Sequence, residues 1–361
     1  MSEPRARVPR ERLRAAAELL IAYPFRVWHY GESTGVEGLV RAARLLGEPR
    51  YEAWVLGLLR GWAARRRPFA EIDNTLPGKV LCELAARHDD ELLTEAALDA
   101  AEHLTARRTL RSVALPFERA PLREPFGGGA LGAADLDLLE EPGPGVFVDP
   151  LHFDPPFLVR LGRMTGAREL VDAGAEQALA LTELLQDESG LFWHFFLERS
   201  GERYGLGWGR GQGWALLGLV DVLEALPPDH LARLPLLRKL ERLVAALCDA
   251  QRDDGGWDAV VGDPESGDES STAAFVVAGV GGAVAAGVLP RDRLEAAGRA
   301  WSYTAARVRQ DGVLEGVSAN VFACTVASHY HHVPRGAVVP WGQGPLLLAA
   351  AAMEERGSTD A

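Results

Sequence analysis

Apolar residues return every three or four positions through most of the chain, the period of an α-helix with one buried stripe. Residues 9–23 carry Leu13, Ala16, Leu19 and Leu20 on one side, and Pro24 ends the run. Comparable stretches cover about 35–46, 49–64, 78–88, 91–107, 156–164, 167–186, 213–226, 231–250, 271–286, 291–309 and 343–355. Alternating β-branched residues are nearly absent, so the pattern predicts an all-α protein. The junctions repeat. Gln186-Asp187-Glu188-Ser189-Gly190, Gln251-Arg252-Asp253-Asp254-Gly255 and Gln310-Asp311-Gly312 each follow a long helix. Small-residue helix starts lie near Gly35, Gly78, Pro156, Gly213, Ser271 and Gly344. Six helix pairs recurring at roughly 40 to 80 residues predict a closed (α/α)6 toroid, in which each pair buries its stripe against its neighbours. The loops before the inner helices of such a ring gather at one end.

One segment breaks the rhythm. Residues 114–148 are rich in Pro, Gly and acidic side chains, and read as a long surface loop or flap. The pattern is the same on both sides, so residues 1–361 are expected to form a single domain. The net charge of −13 argues against a phosphate-neutralising nucleic-acid face and against an anionic membrane surface. Cys82, Cys248 and Cys324 are odd in number and widely spaced, which fits buried thiols better than a disulfide or metal set. No run reaches membrane-spanning length and the N-terminus lacks a secretory core, so the default expectation is a cytoplasmic protein.

The loops hold the chemistry. Trp28, His29 and Tyr30 precede one helix start, and Asp73 and Asn74 precede the next. Asp149, His152 and Asp154 belong to a third junction, and His194, Trp208, Arg210 and Trp214 to a fourth. Aromatic platforms, several carboxylates and a few amides suit a saccharide, whose C–H faces stack on rings and whose hydroxyls need polar partners. Two carboxylates in different environments can divide acid and base work. Bland readings stand beside these. Asp149 and Asp154 each precede Pro and fit N-caps, Asp73 fits an Asx-turn, Arg210 fits a structural ion pair, and the tryptophans fit packing. His329, His331 and His332 are too close in sequence to converge readily on one metal ion, so no metal is expected.

Trp208-Gly-Arg210-Gly-Gln212-Gly-Trp214 resembles the Trp-Gly-Arg-Gly-Asn-Gly-Trp segment of unsaturated rhamnogalacturonyl hydrolases, glycoside hydrolase family 105, relatives of the unsaturated glucuronyl hydrolases of family 88. Val148-Asp149-Pro150-Leu151-x-Phe153-x-x-Pro156-Phe157-Leu158 is similar to that family's Asp-x-Leu-(Phe/Tyr)-Met-x-x-Pro-Phe-Leu segment. Ile72-Asp73-Asn74 resembles its earlier Asp loop, Asp268-Glu269-Ser270-Ser271-Thr272-Ala273 its Glu-Thr-Ser-Gly-Thr-Ala segment, and Gly342-Gln343-Gly344 its final helix start. Phe192-Trp193-His194 matches an aromatic-His pair, but Phe195-Phe196 departs from the Gly-aromatic-Asp that follows it there.

The resemblance implies an (α/α)6 enzyme that hydrates a 4,5-unsaturated uronic acid at the non-reducing end of a short oligosaccharide, without metal or organic cofactor. It implies Asp149 as general acid and base with Asp73 as its partner, leaving Asp154 as a cap. Trp28, Tyr30, Asn74, His194, Trp208, Arg210 and Trp214 become the expected substrate contacts, with Arg210 on the uronate carboxylate. Three alternatives are weighed: another (α/α)6 glycoside hydrolase, a sugar 2-epimerase using paired histidines, and a saccharide-binding toroid without turnover.

Overall fold

The computed structural model describes residues 6–25, 28–65, 67–69 and 75–359. Its helices fall into two classes by composition. α2 (Glu32–Leu46) buries twelve of its fifteen residues and α9 (Gly209–Ala225) fifteen of seventeen. α3 (Arg50–Arg65) buries only five of sixteen and α10 (Arg233–Asp249) five of seventeen. Helices that are apolar or small all round are buried on every side, whereas those with one stripe keep a face in water. α11 (Ser270–Ala285), made of Ala, Val, Gly and Ser with one Thr and one Phe, belongs to the first class.

The buried helices form the inner ring. α2, α4 (Gly78–His88), α7 (Pro150–Thr165), α9, α11 and α13 (Pro340–Thr359) contact one another in that order, and α13 returns to α2. Outside them lie α3, α5 (Glu91–Thr105), α8 (Arg168–Leu185), α10 and α12 (Leu294–Ala306). α1 (Arg10–Ile21) packs on both α2 and α13, so the N-terminal helix is the outer partner of the last inner helix and closes the ring. This is the (α/α)6 toroid. Inner helices approach closely where side chains vanish: a Cβ on Gly218 of α9 would run into the Leu151 carbonyl of α7.

Two inner helices begin well before the apolar pattern indicates. α7 starts at Pro150 rather than 156 and carries Pro155 and Pro156 inside it. Pro150 suits the first turn, where its missing N–H would have no intrahelical partner. Asp154 is therefore buried within the helix and is not a cap. α9 starts at Gly209 rather than 213, so Gly209, Gly211 and Gly213 belong to the helix's own start, while Gly205 and Gly207 stay in the left-handed turn before it.

The 114–148 excursion is more ordered than a loop. It follows the short hairpin of β1 (Thr109–Leu110) and β2 (Val113–Ala114), holds α6 (Ala133–Glu140), and at its end β3 (Gly145–Phe147) enters an antiparallel sheet with β4 (Phe195–Leu197) and β5 (Arg203–Tyr204). Leu122, Leu138, Phe147, Phe195 and Leu197 give it a small core of its own. Further ties are Arg199 to Asp137 at 2.7 Å and Thr325 to Asp135 at 2.6 Å. Among the described residues no helix is long and apolar enough to cross a membrane.

Candidate active site

The N-termini of the inner helices meet at one end of the toroid, and the small sheet sets the register there. β3 pairs with β4, and the ladder continues one step as Val148 N donates to His194 O at 2.9 Å. Asp149 and His194 are consequently neighbours by strand register, although 45 positions of sequence separate them. Asp149 occupies the N-cap position of α7, yet its side chain makes no capping bond. His194 Nε2 lies 3.8 Å from Asp149 Oδ2, and its Nδ1 lies 2.7 Å from the Tyr330 hydroxyl. The imidazole also rests on the Trp208 ring, with centroids 4.1 Å apart.

Burial governs the protonation of this pair. The Asp149 carboxyl, 8% exposed, is pushed up to about 7 by loss of water, against the opposing effects of its own backbone amide, Arg210 and His152. Burial lowers His194 well below the usual histidine range, and the nearby His329 and Arg210 add to it. A carboxyl that holds its proton near neutrality therefore stands beside a neutral imidazole. That is the arrangement of an acid whose neighbour does not take the proton from it.

Arg210 sits in the wall behind them. Its guanidinium lies between Trp208 and Trp341, 5.2 and 5.6 Å from the ring centres. One terminal nitrogen donates to Ser318 Oγ at 2.6 Å and the other to Ala319 O at 2.9 Å. Glu269, the N-cap of α11, is 3.8 Å away. That carboxylate also accepts from the hydroxyls of Ser271 and Thr272 and from the Ser318 amide. Arg210 is thus fully buried, with both terminal nitrogens on protein partners and Glu269 as its nearest counter-charge, while its Nε is buried without a hydrogen-bond partner among the described residues. Trp341 donates to Ser318 O at 3.1 Å and stacks on Tyr30.

The other expected contacts divide. Tyr30, Trp208 and His194 come together around Arg210 and Asp149, and the Tyr30 phenol is raised by burial. Trp28 is fully buried and meets Trp62 of α3 edge to face, so it packs in the core. Trp214 is also fully buried, against His152, Phe153 and Phe275. Gln212 bonds the backbone of Phe192 and Trp208 and so fixes the loop that carries His194. Asp73 and Asn74 lie outside the described residues.

Three contributors escaped the sequence reading. Tyr330 sits in a His-Tyr-His-His run that drew notice only as a metal candidate. Its histidines diverge: His329 accepts from the Phe126 amide, and His331 pairs with Asp263 at 2.8 Å. Among the described residues no group of His, Cys, Asp and Glu could hold a metal ion. Trp341 carried a legible signal, since Trp341-Gly342-Gln343-Gly344 echoes Trp208-Gly209 at another inner-helix start. The third is a buried pair across the lumen, His152 Nε2 to Glu37 Oε1 at 2.9 Å. It joins Lys79 and Asp221, which line a cavity of about 820 Å³ at the opposite end of the toroid. None of the loops bearing Asp149 or His194 reaches that cavity.

An (α/α)6 toroid with a proton-retaining carboxyl and aromatic walls at one mouth defines a carbohydrate-active enzyme of the glycoside hydrolase type. The chain belongs to Glycosyl Hydrolase Family 88, whose family model matches residues 14–356. Over 330 residues it is 24% identical to the unsaturated rhamnogalacturonyl hydrolase YesR of Bacillus subtilis (strain 168), covering 89% of this chain and 88% of that one. It is 26% identical over 214 residues to an unsaturated 3S-rhamnoglycuronyl hydrolase of Alteromonas sp. (strain LOR), covering 57% and 50% of the two chains. Among solved structures, a possible member of the GH105 family from Klebsiella pneumoniae superimposes with a TM-score of 0.79 at 19% identity, over 99% of this chain and 96% of that one. The unsaturated glucuronyl hydrolase of Bacillus sp. GL1 does so with a TM-score of 0.69 at 19% identity, over 97% and 96%.

Proposed function

We propose that this enzyme removes a 4,5-unsaturated uronic acid from the non-reducing end of a short oligosaccharide by hydrating its double bond. One observation carries the reading: a buried Asp149 carboxyl, pushed up to about 7, beside a His194 that burial keeps neutral. An enol ether needs an acid that is still protonated near neutrality. Asp149 gives its proton to C4, and the electron pair of the double bond forms the new C–H bond. The positive charge falls on C5 and the ring oxygen. Water adds at C5 and loses a proton to the Asp149 carboxylate, which restores the acid. The resulting hemiketal opens to a ketone, the hemiacetal at C1 collapses, and the aglycone sugar leaves with its own oxygen. One water is consumed for each glycosidic link lost.

In this reading the half-buried Tyr30 and the nearly buried Trp208 bear on the sugar, and Asp73 supplies the second carboxylate. Asn74 acts at the same wall, and Trp28 and Trp214 pack in the core behind it. Arg210 acts through its charge and by holding Trp208 and Trp341 apart. The work needs no cofactor, and its partner is a small saccharide, which fits a cytoplasmic enzyme acting on imported lyase products. The test is a panel of lyase-generated unsaturated disaccharides from pectin, glycosaminoglycan and ulvan. Loss of the ultraviolet absorbance of the conjugated double bond on one class supports the reading. Absorbance unchanged across the panel refutes it.

A further inference from the structure

We propose that Tyr330 is a positioning residue that decides which ring nitrogen of His194 carries the proton, so that Nε2–H faces the Asp149 carboxyl. The proposal deepens the hydration reading and rests on it for its catalytic half. Tyr330 is 2% exposed, within the 3₁₀ turn Ala327–His332, and its hydroxyl lies 2.7 Å from His194 Nδ1. Burial, with Cys324 and Asp149 adding to it, keeps the phenol protonated, so the hydroxyl has a proton to donate. Among the described residues Nδ1 is the acceptor this hydroxyl meets. A neutral imidazole has a single N–H, and an accepting Nδ1 places it on Nε2. Nε2 stands 3.8 Å from Asp149 Oδ2.

The consequence falls on the step after proton transfer. Once Asp149 has given its proton to C4, a bare carboxylate remains in a site from which water is largely excluded. With Nε2–H toward it, His194 offers a donor to that charge. In the other tautomer a lone pair would face the carboxylate and oppose its formation. A preorganised donor aimed at developing charge is worth most in such an enclosed site.

The glycine-aromatic stretch makes room for this contact. Gly205 has φ +69°, and a Cβ there would overlap the Tyr330 hydroxyl and come within 2.9 Å of His194 Cβ. Its carbonyl also accepts from the His194 amide at 3.1 Å. Any side chain at 205 would displace either the phenol or the imidazole. The charged and titratable groups that face the pair are Asp149 at the start of α7, Arg210 of α9, His329 in the same turn as Tyr330, and Cys324 just before it.

The experiment is Tyr330→Phe, which keeps the ring and removes the donor. Two-bond nitrogen–proton NMR of ¹⁵N-histidine-labelled protein reads the tautomer, with His194→Gln identifying the signal. Wild type is expected to show Nδ1 unprotonated and Nε2 protonated, and Tyr330→Phe a mixture of the two tautomers. On an unsaturated disaccharide kcat should fall roughly tenfold with KM within about twofold, as the loss of one orienting hydrogen bond predicts. The alkaline limb of the kcat profile should move, because the Asp149 carboxylate loses its donor. A wild-type His194 protonated at Nδ1 overturns the proposal. So does a Tyr330→Phe enzyme that keeps both tautomer and kcat. If wild type turns over no unsaturated disaccharide, the functional reading fails on its own, and the tautomer still decides whether Tyr330 sets His194.

Discussion

Replacing Asp149 by Asn should stabilise the protein, and by more as the pH rises. The carboxyl moves from an ordinary 3.8 to about 7 on folding, chiefly because burial penalises its charge. The folded pKa lies above the unfolded one. The protonated carboxyl's contribution is therefore fully present below about pH 4 and is lost progressively as the pH rises toward 7, levelling off above it. Linkage puts the whole loss at about 4 kcal/mol, a ceiling that water reaching a site 8% exposed will reduce. About 2–3 kcal/mol of it falls between pH 5 and pH 8. Asn has the same shape and no charge to bury, so any fixed cost of the substitution is the same at every pH. The melting temperature of Asp149→Asn minus that of wild type, by scanning calorimetry at matched ionic strength, should increase by about 2–5 °C from pH 5 to pH 8. Asp154, also pushed up to about 7 by burial, is present in both proteins and cancels. A difference that stays flat over this range, or narrows, refutes the argument that burial raises Asp149.

Two further substitutions test the walls. Arg210→Met removes the donors to Ser318 and Ala319 and leaves Glu269 without its counter-charge, so the urea midpoint should report a loss of about 3 kcal/mol; a loss below about 1 kcal/mol would show that the cation is not integral to the wall. Gly218→Ala forces a methyl into the Leu151 carbonyl between α7 and α9 and should cost about 2 kcal/mol in the same assay, whereas unchanged stability would mean the two helices separate freely there.

The toroid was legible because its period is carried by many residues at once. Outer helices such as α3 and α10 show one apolar stripe, inner helices such as α9 and α11 are small or apolar nearly throughout, and the two kinds alternate around the ring. Helix starts were less legible. Pro155-Pro156 and the glycines Gly211 and Gly213 resemble boundaries by local propensity. Packing against neighbouring inner helices overrides that preference, and α7 and α9 run straight through. α6 was hidden by the Gly and Pro residues that flank it.

The site was legible by residue type but not by role. Asp149 and His194 were named, while their adjacency depends on β3–β4 pairing, which no helical period announces. Arg210 looked like an anion anchor because it lies among glycines and tryptophans. Ser318, Ala319 and Glu269, which occupy it, come from other repeats. Trp28 and Trp214 looked like stacking surfaces, and the fold turns both into the core. Tyr330 needed three dimensions altogether, because its hydroxyl meets His194 across 136 positions of chain.

The central claim is that Asp149 protonates a double bond and does not assist a displacement at the anomeric carbon. Release of the aglycone sugar and ultraviolet absorbance should be followed together in D2O, with wild type and Asp149→Asn, on whichever unsaturated disaccharide the enzyme accepts. The account predicts absorbance lost in step with release, one deuteron at C4 in the earliest product, and neither event with Asp149→Asn. Release that leaves the double bond intact, or full activity in Asp149→Asn, would contradict it.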